Sequence, residues 1–390
     1  MIDDRSSDFE GKHRIRRSLW VDEPVVENPD YLTRQLITYI GNKRALLRQI
    51  ETAVERVKSR MGKKRLRVFD VFSGSGVVSR FLKAHASFLV GNDLEDYAAV
   101  IGRCYLRNRG TVDLRAVAAL VAELNQRVES EAFAPGFIEE LYAPRDEANI
   151  VKEDRVFYTR ANARRLDNYR RLIEDVPADV RDLLMGPLLS EASIHANTAG
   201  VFKGFYKNRQ TGLGQFGGSG SDALSRIKGK IELEAPILSN YECDYEVLQE
   251  DANDAATIRK GFDLAYIDPP YNQHPYGSNY FMLNLLVRYE RPLHISDVSG
   301  IPTDWRRSGY NVRSQSLALL QDLLANLDAP YLLISFNNEG FVRPDEMLAM
   351  LNTLGSVDVL ESRYNAFRGS RNFNARSIHV VEQLFLVERR

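Results

Sequence analysis

The chain has 390 residues, 44% of them hydrophobic and 27% charged, with 52 Lys and Arg against 53 Asp and Glu and only two cysteines. This composition fits a globular protein with room for one large domain and a second of ordinary size, and it excludes a disordered chain and a disulfide scaffold. No apolar run approaches the roughly 18–20 residues of a membrane span, and a net charge of −1 confines any nucleic-acid footprint to a local patch.

Residues 1–35 are polar, charged and proline-broken, and read as an N-terminal arm or loosely packed extension. Met1–Arg5 carries mixed charge where a signal core would be apolar. Cys104 and Cys243 lack metal-ligand spacing, so a reducing cytoplasm is the expected setting. From Leu36 the pattern tightens through Tyr39-Ile40-Gly41-Asn42-Lys43. A helix is predicted over Ala45–Lys58, with Leu46, Leu47, Ile50, Val54 and Val57 on one face. A cationic linker, Met61–Arg67, leads to a strand, Val68–Phe72. Then come Ser73-Gly74-Ser75-Gly76, a helix to about Ala84, and a second strand Phe88–Gly91 ending at Asn92-Asp93. Strand, glycine loop, helix, strand and acid form a nucleotide-binding half of an open parallel sheet.

Residues 111–235 change character. They begin with helical periodicity at Leu114–Val128, continue through a basic helical stretch Arg160–Arg171, and end in a glycine-rich segment at 200–220. The sheet pattern resumes near Tyr245. Further strands are predicted at Phe262–Ile267, Tyr331–Phe336, Ser356–Glu361 and Ile378–Glu388, with helices at Ser314–Asn326 and Pro344–Leu354. The reading is one α/β domain, residues 36–110 and 236–390, interrupted by an insert at 111–235.

Two motifs carry chemistry. Phe72-x-Gly74-x-Gly76 follows a strand and opens a helix, where small residues let a ligand approach the backbone. By itself such a loop is a weak signal, with a tight βα turn as the alternative. Asp93, 17 residues beyond Gly76, stands where a carboxylate can bind both ribose hydroxyls, although an acid there can also cap a helix. Ser79 occupies the place of the third glycine in the dinucleotide fingerprint, so an adenosyl sulfonium suits the loop better than NAD. The second motif is Asp268-Pro269-Pro270-Tyr271, at the end of the apolar run Phe262–Ile267. An exocyclic amine on a nucleobase is a poor nucleophile because its lone pair is delocalised into the ring. A carboxylate accepting one N–H and the carbonyl of Pro269 accepting the other localise that lone pair. Tyr271 offers a face on which the base can stack.

In order and content these motifs resemble the DNA adenine-N6 methyltransferases of the alpha group, which include the bacterial Dam-like enzymes. Tyr39–Lys43 resembles the N-terminal cofactor motif, Asp70–Gly76 the main cofactor loop, Asn92-Asp93 the ribose-binding acid and Asp268–Tyr271 the catalytic tetrapeptide. The resemblance implies a Rossmann-like S-adenosylmethionine-dependent methyltransferase sheet with an inserted, mostly helical target recognition domain. It implies that Tyr39, Lys43, Asp70, Phe72, Gly74, Gly76, Asp93 and Asp268 contact S-adenosyl-L-methionine, and that Asp251 meets the cofactor's adenine amine. Asp268, Pro269, Pro270 and Tyr271 then hold an adenine rotated out of duplex DNA. Direct transfer needs neither a metal nor a cysteine nucleophile.

Lys203, Lys207 and Arg209, interleaved with Phe202, Phe205 and Tyr206, are candidate DNA contacts, as are Arg368 and Arg371 in a later basic stretch. A solvated flexible loop is the alternative for the first group. The expected partner is double-stranded DNA, met by a monomer in a bacterial or phage-like context, with a cognate restriction endonuclease as a second expected partner. A methyltransferase acting on RNA base amines and an N4-cytosine DNA methyltransferase are the alternatives.

Overall fold

The computed structural model describes residues 25–218, 220, 223–337, 340–365 and 379–390. Seven strands form a single sheet: β1 Leu66–Asp70, β2 Ala86–Asn92, β3 Asp244–Leu248, β4 Leu264–Ile267, β5 Tyr331–Asn337, β6 Gly355–Asn365 and β7 His379–Arg389. Their order is β3-β2-β1-β4-β5-β7-β6. The first five strands are parallel, and β7 runs antiparallel between β5 and β6. This is the expected Rossmann-like methyltransferase sheet. The order reverses at β1 and β4, and in open sheets ligands bind at such a switch point, beyond the carboxyl ends of the strands.

The parallel strands are apolar on both sides because helices cover both faces. Leu66 and Val68 of β1 pack with helices Leu47–Met61 and Val77–Leu82. The alternate residues Phe69 and Val71 pack with helices Ala252–Ile258, Arg313–Asn326 and Pro344–Leu354. Helix Leu47–Met61 buries Ile50, Ala53, Val54 and Val57, one stripe at helical spacing, and stops at Gly62 in the left-handed conformation (φ 64°). It starts later than the sequence suggests because Lys43–Leu46 makes a 3₁₀ turn.

A third core joins helices Leu114–Ser130, Arg160–Glu174 and Ala178–Ile194 to helices Asp96–Tyr105 and Phe281–Arg288. The 111–235 segment therefore shares its core with elements that precede and follow it. Tyr31 is buried in this core and its hydroxyl donates to the Tyr105 carbonyl at 2.7 Å. The described part of the expected loose extension is thus docked, since a buried tyrosine needs both an apolar seat and a partner for its hydroxyl. No described helix is long and apolar enough to cross a membrane.

Candidate active site at the strand tips

β1 ends at Asp70, and the chain turns through Ser73–Gly76, closed by the Gly76 N–H donating to the Ser73 carbonyl at 2.8 Å. Gly74 adopts φ 51°, and a Cβ there would lie 2.8 Å from the Tyr39 hydroxyl, so glycine is needed both for the turn and for the ring beside it. Asp93 leaves the tip of β2 and accepts the Gly74 N–H at 2.7 Å on one oxygen and the Glu95 N–H at 3.0 Å on the other. Burial raises its carboxyl, and these backbone donors oppose the rise. A carboxylate has about four lone-pair sites, so this one can hold the loop and still accept hydroxyls from a ligand.

Beyond β4, Asp268 is 17% exposed at the side chain and lines the same cavity as Gly74 and Asp93. The cavity encloses about 870 Å³ of free space, its open mouth included. Lys43 reaches over from before the first long helix and places its ammonium 3.1 Å from Asp268 Oδ1, while also pairing with Glu382 of β7. Lys43 is 3% exposed. Burial alone would lower its affinity for the proton, but Asp268 and the other groups around it leave it well above the ordinary lysine value. Asp268 is pushed up to about 7, first by burial and further by Glu382, against the pull of Lys43.

The remaining expected site residues divide into two groups. Tyr39, Phe72, Asp251 and Pro270 line the cavity. Asp251 is exposed, and one of its oxygens caps helix Ala252–Ile258 by accepting the Asn253 N–H at 2.9 Å. Pro269 and Tyr271 line a small adjoining hollow, in which the Tyr271 ring meets Phe336 edge-on at 5.6 Å. Asp70 and Gly76 do not line the cavity. Asp70 is fully buried behind the loop, hydrogen-bonded to Ser79 and raised to about 7, chiefly by burial. Gly76 (φ 72°) faces Ile101 and starts helix Val77–Leu82. Both shape the loop from beneath.

The sequence reading missed Tyr276, Tyr280, Glu95 and Glu382. The Tyr39 ring stacks on both Tyr276 (5.0 Å) and Tyr280 (4.9 Å), which stack on each other at 6.0 Å, and Tyr276 lines the cavity. The signal available was two tyrosines four residues apart, just after the tetrapeptide. Glu95, buried and raised to about 7 by its burial, accepts from Asn284 at 2.6 Å. Nothing local marked it.

Lys203, Lys207 and Arg209 are exposed on a hairpin-like turn, and no ion pair among the described residues engages them. The turn is anchored. Phe202 is buried in the helical core and its N–H donates to the Asn279 carbonyl at 2.8 Å, while Gln215 bonds back to Tyr206 at 3.0 Å. Arg226 and Lys230, cations of the same region, are engaged by backbone carbonyls and Glu129 respectively. So are the arginines of helix Arg160–Glu174, where Arg160 and Arg164 both bind Glu139 and Arg165 binds Glu129. Arg368 and Arg371 lie outside the described residues.

A glycine loop and an acid at two strand tips, open to a buried carboxylate beyond a third, can hold a nucleoside-like donor beside a flat amine. Comparison with known proteins agrees. The family described as D12 class N6 adenine-specific DNA methyltransferase matches residues 39–299. The chain is 28% identical to the type II methyltransferase M.NlaIII of Neisseria lactamica over 90% of its own length and 100% of that protein. It is 27% identical to M.CviAII of Paramecium bursaria Chlorella virus 1, over 90% and 98%. To modification methylase StsI of Streptococcus sanguinis it is 25% identical, over 90% of this chain and 52% of that longer one. With more than half its length inside the family match, the chain belongs to the D12 class N6 adenine-specific DNA methyltransferases.

Proposed function

We propose that this enzyme methylates N6 of adenine at a specific site in duplex DNA, with S-adenosyl-L-methionine as donor and the target base rotated out of the helix. The observation that carries the reading is the single cavity that Gly74, Asp93 and Asp268 line together. The residues present suit an adenosyl donor: Asp93 keeps lone pairs for a ribose diol, the glycine loop exposes backbone, and Phe72, Val77 and Ala252 supply an apolar wall. Bound there, the donor would supply an electrophilic methyl group.

The chain's own residues do the rest. Asp268, as carboxylate, accepts one N–H of the target amine, and the Pro269 carbonyl accepts the other, which aims the lone pair at the donor. Tyr271 stacks on the base, offsetting part of an unstacking cost of a few kcal/mol. Tyr39, held by its two tyrosine neighbours and by Gly74, walls the donor side. As positive charge develops on the amine, the nearby carboxylate stabilises it. Lys203, Lys207 and Arg209 contact phosphate.

Family membership favours adenine in DNA over an RNA base or cytosine N4. The relatives' names as type II methyltransferases and modification methylases support a role beside a cognate restriction endonuclease; a cytoplasmic monomer is the proposed working form. The test is to incubate purified protein and S-adenosylmethionine with unmethylated DNA, duplex RNA as control, and to map modified bases by sequencing. Methylated adenine at a fixed sequence is expected. Methylation confined to RNA or to cytosine would overturn the reading.

A further inference from the structure

Lys43, Asp268 and Glu382 come from three distant parts of the chain and meet in one buried cluster. Glu382 is fully buried on β7, and Ser335 of β5 donates to its Oε1 at 2.8 Å. Neighbouring strands thus fix one carboxylate, which in turn grips the lysine whose ammonium faces the other. Among the described residues, two carboxylates face one ammonium in a place where water screens little. Such an arrangement is costly as a mere staple, since apolar residues of similar volume often do as well or better. One of these carboxylates opens onto the cavity and the other does not.

We propose that Glu382 is a positioning residue for methyl transfer. It holds Lys43 against one oxygen of Asp268, so that the carboxylate turns its other oxygen to the target amine. This rests on the reading of Asp268 as acceptor of an amine N–H. Without Glu382 the flexible lysine has no fixed seat, and Asp268 loses the partner that sets its rotamer. Glu382 also sets the charge balance. Among the described residues, the charged and titratable groups facing Asp268 are Lys43 before the first long helix, Asp70 at the end of β1, Tyr266 on β4, Tyr276 after it and Glu382 on β7. Glu382 repels the ionised form of Asp268 while Lys43 favours it. Neutralising Glu382 removes that repulsion while the loosened lysine withdraws part of its pull, so the two act in opposite directions on Asp268 and the loss is read in the plateau rate.

The experiment is single-turnover methylation at saturating DNA and cofactor from about pH 5 to 9, with Glu382→Gln, Glu382→Asp and Asp268→Ala beside the unaltered enzyme. Cofactor affinity is measured by equilibrium binding and folding by thermal unfolding. Glu382→Gln should lower the plateau rate about tenfold, with cofactor affinity within about twofold and the acid limb within about half a unit of its place, since the lost repulsion and the loosened lysine offset each other. Glu382→Asp keeps the charge but draws it back from Lys43, so the plateau falls about threefold. A folded Glu382→Gln enzyme with an unaltered plateau rate overturns the proposal. If that variant does not fold, an unaltered plateau in Glu382→Asp overturns it instead. Retained activity in Asp268→Ala would remove the underlying reading of Asp268 rather than the role of Glu382 alone.

Discussion

The strand tips and the helical segment 111–235 treat charge in opposite ways. At the tips, Lys43, Asp70, Asp268 and Glu382 are nearly or wholly removed from water and act on one another across elements far apart in sequence. In the helical segment, charged side chains pair at the surface: Arg127 with Glu131, Arg170 with Glu174, Arg160 and Arg164 with the buried acid Glu139. Exposed pairs of this kind contribute about 0–1 kcal/mol each. The pairing favours the charged forms of Arg127, Glu139, Arg164 and Glu174. Buried groups shift each other's protonation by whole units. Charge at the tips therefore governs reactivity, and charge in the helical segment governs architecture.

Asp268→Ala puts that division under the greatest strain. Methyl transfer should fall by about a thousandfold or more, while cofactor affinity, read by equilibrium binding, stays close to normal. The corresponding buried acid of the helical segment is Asp167, which caps helix Phe137–Tyr142 through the Ile138 and Glu139 N–H groups and accepts from Tyr289 at 2.8 Å. Asp167→Ala should lower stability by about 2–3 kcal/mol in denaturant unfolding and leave the transfer rate per folded molecule unchanged. A fall in that rate without loss of stability would break the contrast.

Acidity provides a third test. Because Asp268 sits near 7 in the folded protein, mainly through burial, it becomes neutral as pH falls through that value, accepts the amine N–H more weakly and no longer offsets the positive charge that develops there. Single-turnover rates should drop about tenfold per pH unit below 7. A limb near pH 4 would mean that the carboxylate is not desolvated when it works. The smallest effect is expected from Lys203→Ala, Lys207→Ala and Arg209→Ala together. DNA affinity should weaken about tenfold and the salt slope of binding should flatten by up to about three, with the rate at saturating DNA unaltered.

The sheet half of the molecule was largely legible because its signals are local. A buried parallel strand, a glycine turn and an acid at the next strand end stand within a few dozen residues, and each is a short-range consequence of backbone geometry. Helix Ala178–Ile194 was not legible. Leu183–Ser190 are all buried, so the stretch has no polar face to reveal its period, and Pro187 lies inside it. Within the site, the loop and the tetrapeptide were readable, whereas Asp70 behind the loop could not be told from a residue in front of it. Lys43 was read as a donor-side residue, and its pairing with Asp268 and Glu382 adds a link to the acceptor side. Glu382 gave no signal at all: its meaning depends on β7 entering the sheet antiparallel beside β5, a long-range pairing that no spacing announces.

That placement of β7 bears on how the enzyme comes into being. Its slot between β5 and β6 can be filled only after both neighbours have been synthesised, and Glu382 stands 114 positions after Asp268. A nascent chain can shape the donor cradle while still threaded through the ribosome, yet the lysine beside Asp268 lacks its buried anchor until β7 has threaded home. The donor and acceptor halves of the site are thus completed at different points along the chain.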